Sequence, residues 1–177
     1  MIIKSIKDKI KEHFFINPSA KLRVRQIERE LKLPLPSVIR YCKELEGEKI
    51  LQKIETGGIV LYTSDRNSAS YMLEKKLFNI KSIFESGLID YIITEYSNPP
   101  IVLFGSYFKG EDNENSDIDL YIETPKKHTF SLDKFEKILK RKIQVFNYKN
   151  INEVTNVHLA NNIVNGLTLN NFLEVFK

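Results

Sequence analysis

IVLFGSYFKGEDNENSDIDLYIE, residues 101–123, contains two segments typical of β-strands, separated by a glycine-serine step and a polar loop. The first segment, Ile101–Phe104, is wholly apolar and ends at Gly105 and Ser106, as a strand does where a helix begins. The second, residues 117–123, alternates polar and apolar side chains in the manner of a half-buried strand. The stretch therefore predicts a strand, a tight turn into a short helix, and a second strand.

The second strand places two carboxylates close together. Side chains two residues apart on a strand point to the same face, so Asp117 and Asp119 are expected to direct their carboxylates at one spot. Such a pair repels unless a cation lies between its members, and oxygen ligands suit Mg²⁺ together with substrate phosphates. Gly105 would let the backbone approach a ligand, and Ser106 would offer a hydroxyl and backbone N–H groups to an anion.

The order of these features resembles the signature of the DNA polymerase beta-like nucleotidyltransferases, in particular the minimal prokaryotic members of that superfamily. The matching elements are the Gly-Ser pair, a short helix ending at Gly110, and the run Ser-Asp-Ile-Asp-Leu at 116–120. The resemblance implies that Gly105 and Ser106 hold a nucleoside triphosphate, ATP or another. It implies that Asp117 and Asp119 bind the metal, Mg²⁺ or Mn²⁺, and act as the catalytic carboxylates. The expected reaction transfers a nucleoside monophosphate to a hydroxyl, and in minimal relatives the acceptor is often a partner protein, commonly a toxin that they neutralise.

One position departs from the superfamily pattern. Its members usually carry a third carboxylate on the strand after the helix that follows the Asp-x-Asp strand, and the matching residue here is Gln144. A neutral amide is a poor metal ligand and a poor acceptor for the proton of the attacking hydroxyl. A shifted alignment would bring in Asp133 or Glu136, but both are expected on a helix. Glu123 shares a strand face with Asp119, yet lies about 13 Å further along. Full activity is therefore in question.

The N-terminal part predicts three helices and a hairpin. The first helix carries the apolar stripe Ile3, Ile6, Ile10 and Phe14, the second covers residues 24–31, and the third runs from about 36 to 46. Two strand-like segments then flank Gly57 and Gly58, which is a hairpin signal. This order resembles a winged helix-turn-helix domain over residues 1–64.

The winged-helix resemblance implies DNA binding through the third helix. There, Val38, Cys42 and Leu45 form the expected inward stripe. The candidate DNA-contacting residues are Ser37, Arg40, Tyr41 and Lys43 on the helix, with Lys53 beside the hairpin. Residues 1–65 hold 13 Lys and Arg against 9 Asp and Glu, so the whole net charge of +4 lies in this part. A basic N-terminal part favours a polyanion partner; the alternative is a dimerisation or docking module with solvated charges.

The remaining sequence completes an α+β protein in three parts. Residues 65–97 predict a helical connector broken at Gly87, which packs on the second domain or on a partner chain, and residues 98–177 predict a nucleotidyltransferase-type α/β domain with a mixed sheet. Leu167, Leu169, Phe172, Leu173 and Val175 are expected to add to its core.

Composition excludes several classes of protein. No apolar run approaches a membrane span or a signal peptide, so a cytoplasmic location is expected. One cysteine, Cys42, excludes an internal disulfide. The three histidines, His13, His128 and His158, lack the paired spacing of a zinc site.

Two functions of different classes remain open. One is a nucleotidyltransferase that its winged helix brings to DNA. The other is a DNA-binding regulator whose transferase-like domain binds nucleotide without turnover or only mediates assembly. A homodimer fits either, by analogy with winged-helix proteins that read paired half-sites. The sequence names neither the acceptor, the nucleotide, the DNA site nor the oligomeric state.

Overall fold

A computed structural model describes residues 5–126 and 131–176. Its backbone contacts divide the chain into two compact units, Met1–Phe78 and Asn79–Lys177. The boundary lies inside one long helix, Ala69–Glu85, within the segment expected as a connector. Ile3 and His128 lie outside the described residues. None of the described helices is long and apolar enough to span a membrane.

The first unit consists of three helices, a hairpin and the first part of the long helix. The elements are α1 (Ile6–Ile16), α2 (Val24–Leu31), α3 (Leu35–Gly47), β1 (Leu51–Thr56), β2 (Ile59–Ser64) and α4 (Ala69–Glu85). The β1–β2 turn contains Gly57 and Gly58, both with positive φ, as the sequence predicted. Leu22 adds an isolated antiparallel bridge to Tyr62 on β2.

The core of the first unit forms where α1, α2 and α3 meet the hairpin. Val38, Cys42 and Leu45 are fully buried, which confirms the predicted inward stripe of α3. Burial also raises the pKa of the Cys42 thiol to about 12, so this cysteine remains protonated at neutral pH. Lys75 on α4 is buried as well and donates from Nζ to the carbonyl of Phe15 at the end of α1, at 2.9 Å.

The second unit is a four-stranded sheet with helices. Besides the end of α4, its elements are α5 (Leu88–Tyr96), β3 (Ile101–Phe104), α6 (Gly105–Lys109), β4 (Ile118–Glu123), α7 (Asp133–Leu139), β5 (Ile143–Tyr148), a 3-10 turn (Ile151–Glu153), α8 (Val157–Val164) and β6 (Leu167–Asn170). The strand order is β5-β4-β3-β6. β4 and β5 are parallel, while β3 is antiparallel to both β4 and β6, so the sheet is mixed as expected.

The sheet buries both faces, each with its own apolar cluster. One face, with Leu103, Leu120 and Ile122, packs in a cluster that includes residues of α5 and α7. The other face, with Phe104 and Tyr121, packs with residues of the 3-10 turn and α8. This double burial explains why Ile101–Phe104 is an uninterrupted apolar run.

Two sequence expectations about the apolar residues of the C-terminal segment need correction. The segment expected only as additional core after Gly166 contains a strand, β6, which pairs with β3. Phe172, expected in the core, is 66% exposed because it lies beyond that strand. On α4, Leu73, Leu77 and Phe84 are about half exposed.

Candidate nucleotide and metal site

The site forms at the edge of the sheet where β3 ends and β4 and β5 begin. Gly105 follows β3 immediately and opens α6, which ends at Gly110 in the left-handed conformation. Asp119 is the register partner of Phe104 on β3, so its side chain lies next to Gly105. Gly105 itself has φ +77°, and a Cβ there would overlap Asp119 Oδ2. Only glycine satisfies both conditions.

Ser106 follows on α6 and is half-buried. Its Oγ makes no hydrogen bond with any other residue that the structure describes. Its carbonyl accepts from the N–H of Glu111 at 3.0 Å, which closes the turn after the helix. The hydroxyl is thus available to a ligand at the same edge as Asp119.

Asp117 and Asp119 are close enough to interact electrostatically. Asp119 is half-buried, and its pKa is raised to about 6, first by burial and then by the negative charge of Asp117. Asp117 lies just before β4 and is exposed. A carboxylate held in this way gains from any cation placed between the pair.

Gln144 occupies the position beside Asp119 where the superfamily pattern has a third carboxylate. β4 and β5 run parallel, and Asp119 is paired with Gln144 in their register. Paired residues of adjacent strands project to the same face of a sheet, so the Gln144 side chain neighbours the Asp119 carboxylate. Gln144 is exposed at this edge. The neighbouring group in this site is therefore a neutral amide.

Two of the three alternative carboxylates, Glu136 and Glu123, form hydrogen bonds with other residues. Glu136 on α7 accepts from Lys142 Nζ at 2.8 Å through one oxygen and from the N–H of Ile143 at 3.0 Å through the other. These bonds lower the pKa of Glu136 and fasten α7 to the start of β5. Asp133 lies on the same helix, as the sequence predicted. Glu123 is at the opposite end of β4, where it accepts from Tyr121 at 3.0 Å.

A buried polar network lies behind the site, and the sequence reading missed it. Asp112 accepts at Oδ1 from Asn79 on α4 at 2.8 Å, and at Oδ2 from Arg141 before β5. The three residues are far apart in the sequence and form no local motif, so no sequence pattern predicts these contacts. Asp112 differs from a solvated loop residue only because its side chain is buried, which the structure shows and the sequence does not.

A cavity of about 360 Å³ lies at the start of β5. Its lining includes the basic residues Lys137, Lys140 and Lys142 and the acidic residues Glu114, Asp133 and Glu136, besides the ion-paired Arg141. Because the acidic and basic side chains balance, the charges of this cavity do not by themselves select an anion.

The candidate DNA-contacting residues divide into two pairs on α3. Arg40 and Lys43 are exposed, whereas Ser37 and Tyr41 are half-buried on its flank. Arg40 lies over the ring of Tyr41, with 4.4 Å from Cζ to the ring centroid, and donates to its hydroxyl at 2.6 Å. It also reaches Glu44 at 3.7 Å. Tyr41 thus orients the guanidinium and is less available as a direct contact.

Lys53 lies on β1 and is exposed. Its register partner on β2 is Tyr62, a core residue whose pKa is raised by burial and by Glu46 and Cys42 of α3. Lys53 therefore projects from the face of the hairpin that packs toward α3.

The donor set at the sheet edge suits a hard divalent cation. Two carboxylates together with substrate phosphates are the ligands that Mg²⁺ commonly has in phosphate-transfer sites, and Mn²⁺ accepts the same oxygen ligands. Within residues 5–126 and 131–176, no group of three or more His, Cys, Asp or Glu side chains converges on one point.

Comparisons with known proteins bear on the second unit. No match was found among curated proteins or among solved structures. Residues 85–165 match the family model described as a nucleotidyltransferase domain. The match includes the Gly105 turn, both aspartates and Gln144, and it supports nucleotidyl transfer as the general function. It supports assignment of this part of the chain to the nucleotidyltransferase superfamily.

Proposed function

We propose that the protein is a nucleotidyltransferase that transfers a nucleoside monophosphate from a nucleoside triphosphate, ATP or another, to a hydroxyl acceptor. Gly105 and Ser106 would contact the triphosphate, and Asp117 and Asp119 would hold Mg²⁺ or Mn²⁺. The observation that carries the proposal is the contact between the Asp119 carboxylate and Gly105. This contact brings a possible cation ligand next to the turn that would contact the triphosphate.

The roles of the side chains follow from their positions. Gly105 lacks a Cβ, so the Asp119 carboxylate can lie against the backbone of the turn, and the hydroxyl of the next residue, Ser106, can donate to a phosphate oxygen. Asp117 and Asp119 would orient the triphosphate through a shared cation for in-line attack. Bound there, the cation would neutralise charge that develops as pyrophosphate leaves. Gln144 cannot take the proton of the acceptor hydroxyl, so that proton would pass to solvent or to substrate.

We propose further that the first unit is a winged helix-turn-helix domain that binds DNA through α3 and the β1–β2 hairpin. Supporting features are the three helices before the hairpin, the Leu22–Tyr62 bridge, and exposed Arg40, Lys43 and Lys53. Paired half-sites would be read by a homodimer. The acceptor in this proposal is a partner protein, in the manner of an antitoxin that modifies a toxin in the cytoplasm.

The second candidate function is a DNA-binding regulator whose nucleotidyltransferase domain binds nucleotide without turnover. Gln144 favours it, because the register places a neutral amide beside Asp119 where a base or third ligand is expected. Both candidates retain the same nucleotide and metal residues and differ only in turnover.

One incubation separates the two. The purified protein is mixed with each labelled nucleoside triphosphate, Mg²⁺ or Mn²⁺, and cell extract, and both pyrophosphate release and label transfer are followed. Transfer that the Asp117→Asn/Asp119→Asn variant lacks supports the enzyme, and the labelled product identifies the acceptor. Metal-dependent binding without pyrophosphate release supports the regulator. Binding that is unchanged in the double variant would contradict the site itself.

A further inference from the structure

Three buried polar side chains from distant parts of the chain meet behind the candidate site. Asn79 comes from α4, Asp112 from the loop before β4, and Arg141 from the residue pair before β5. The side chains of Asp112 and Arg141 are 0% and 3% exposed, and Asn79 is equally enclosed. The group is thus removed from solvent.

Both oxygens of Asp112 are used in this group. Oδ1 accepts from Asn79 Nδ2 at 2.8 Å, while Oδ2 accepts from Arg141 Nη2 at 3.1 Å and from its Nε at 3.3 Å. The same Asn79 nitrogen also donates to the carbonyl of Tyr107 on α6 at 2.8 Å. One amide therefore connects α6, the short helix that begins at Gly105, with the buried ion pair.

Each contact falls next to a residue of the candidate site. Tyr107 directly follows Ser106, and Asp112 begins the loop that leads to Asp117. Arg141 precedes Lys142, whose carbonyl accepts from the N–H of Ile118 at 2.8 Å, where β4 starts beside β5. The network consequently connects the three segments that carry the Gly105–Ser106 turn, the two aspartates and Gln144.

Stability alone is a weak reason for such a group. A buried ion pair commonly contributes little compared with well-packed apolar side chains of similar volume, because desolvation offsets the attraction. The hydrogen bonds of the ion pair and the amide are directional. They therefore hold α6, the loop before β4 and the start of β5 at fixed distances from one another.

We infer that Asn79, Asp112 and Arg141 are positioning residues that set the distance between the Gly105–Ser106 turn and the Asp117–Asp119 pair. The inference rests on the nucleotide site proposed above and adds three residues to it. None of the three touches the nucleotide; they act through the backbone of Tyr107, Ile118 and Lys142.

The test replaces the ion pair by apolar side chains of similar size, Asp112→Leu with Arg141→Met. No unpaired charge is left in the interior, so the variant is expected to fold with a urea midpoint close to that of the parent. Its affinity for ATP with Mg²⁺ is expected to fall about tenfold or more, since small misplacements of a site have large effects. Asn79→Leu, which removes both amide bonds, is expected to act in the same direction.

Amide hydrogen exchange in nucleotide-free protein supplies a second readout. The Ile118 amide reports the junction of β4 with β5, and the Leu120 amide in the middle of β4 is its reference. Opening of the junction speeds exchange at Ile118 relative to Leu120, whereas a general loss of stability speeds both. Tyr121→Phe, which removes a hydrogen bond at the other end of β4, is the matched control and should leave the ratio unchanged.

The two readouts separate failure of the inference from failure of the proposed function. A parent protein that binds no nucleotide would contradict the proposed function, and the exchange ratio would then decide the inference by itself. An unchanged ratio with unchanged ATP affinity in a folded double variant would overturn the inference. Should the double variant not fold, the same measurements on Asn79→Leu decide.

Discussion

The carboxylate of Asp119 lies where the side chain of any residue other than glycine at 105 would be. Gly105 also has φ +77°, so two independent conditions exclude a Cβ at this position. The contact joins the turn after β3 to the acidic start of β4, and it makes Gly105 a direct probe of the candidate site.

Gly105→Ala is expected to abolish metal-dependent nucleotide binding and to destabilise the fold. Gly87→Ala is the matched control, because Gly87 has φ +75° in the same unit and an added Cβ would meet no atom within 4 Å. The free energy of unfolding of the control should fall by only about 1–2 kcal/mol, the cost of the left-handed conformation for alanine. Urea denaturation and nucleotide titration of both variants check this. If Gly105→Ala loses no more stability than Gly87→Ala and still binds nucleotide normally, the close contact between Asp119 and Gly105 is refuted.

Asp119→Asn is expected to stabilise the protein without metal while it removes metal-dependent nucleotide binding. The pKa of Asp119 is about 6 in the folded chain against an ordinary value of 3.8. The Asp119 carboxyl therefore binds its proton more tightly in the folded state than in the unfolded state. As a result, the contribution of Asp119 to stability falls as pH rises from about 4 to about 6, and it remains lost at higher pH. The variant should melt higher than the parent at about pH 8 and equally at about pH 3. A variant that melts lower than the parent at about pH 8 would contradict the assigned burial of charge.

Nucleotide binding with Mg²⁺ should weaken as pH falls through about 6, because protonated Asp119 is a poor cation ligand. Isothermal titration across this range measures the dependence. The control is binding without metal, which should change less with pH. Binding with Mg²⁺ that stays constant between about pH 8 and about pH 5 would exclude Asp119 as a ligand.

Gln144→Glu is expected to raise the rate of nucleotidyl transfer by about tenfold or more, because it places a carboxylate beside Asp119 in the β4–β5 register. Gln144→Met is the control, since it keeps the length of the side chain without the charge. Pyrophosphate release with a labelled nucleoside triphosphate is the measurement. If both variants behave alike, the neutral amide does not limit the reaction.

Arg40→Ala and Lys43→Ala are each expected to weaken DNA binding and to lower its salt dependence by about one counterion per lost phosphate contact. Both side chains are exposed on α3. Lys9→Ala is the control, because Lys9 is exposed on α1, outside the proposed surface. Affinity for duplex DNA is measured at several salt concentrations. Equal effects of all three substitutions would indicate attraction by net charge alone.

Local sequence pattern was sufficient for most elements. The glycine-serine turn, the alternation at 117–123, the break at Gly87 and the hairpin glycines are all signals carried within a few residues. The predicted positions of α2 and of the hairpin turn agree with the structure for that reason. The prediction that Asp117 and Asp119 are neighbours likewise used only the two-residue period of a strand, although Asp117 lies just before β4.

The sequence by itself determined the residue types of the candidate site and the order of the elements that carry them. The tertiary structure decided which side chains meet: the overlap of Asp119 with any Cβ at 105, the register partnership of Asp119 with Gln144, and the enclosure of Asp112 by Asn79 and Arg141. It also paired β6 with β3 and left Phe172 exposed. Strand register and burial depend on contacts between residues far apart in the chain, and no local period encodes those contacts.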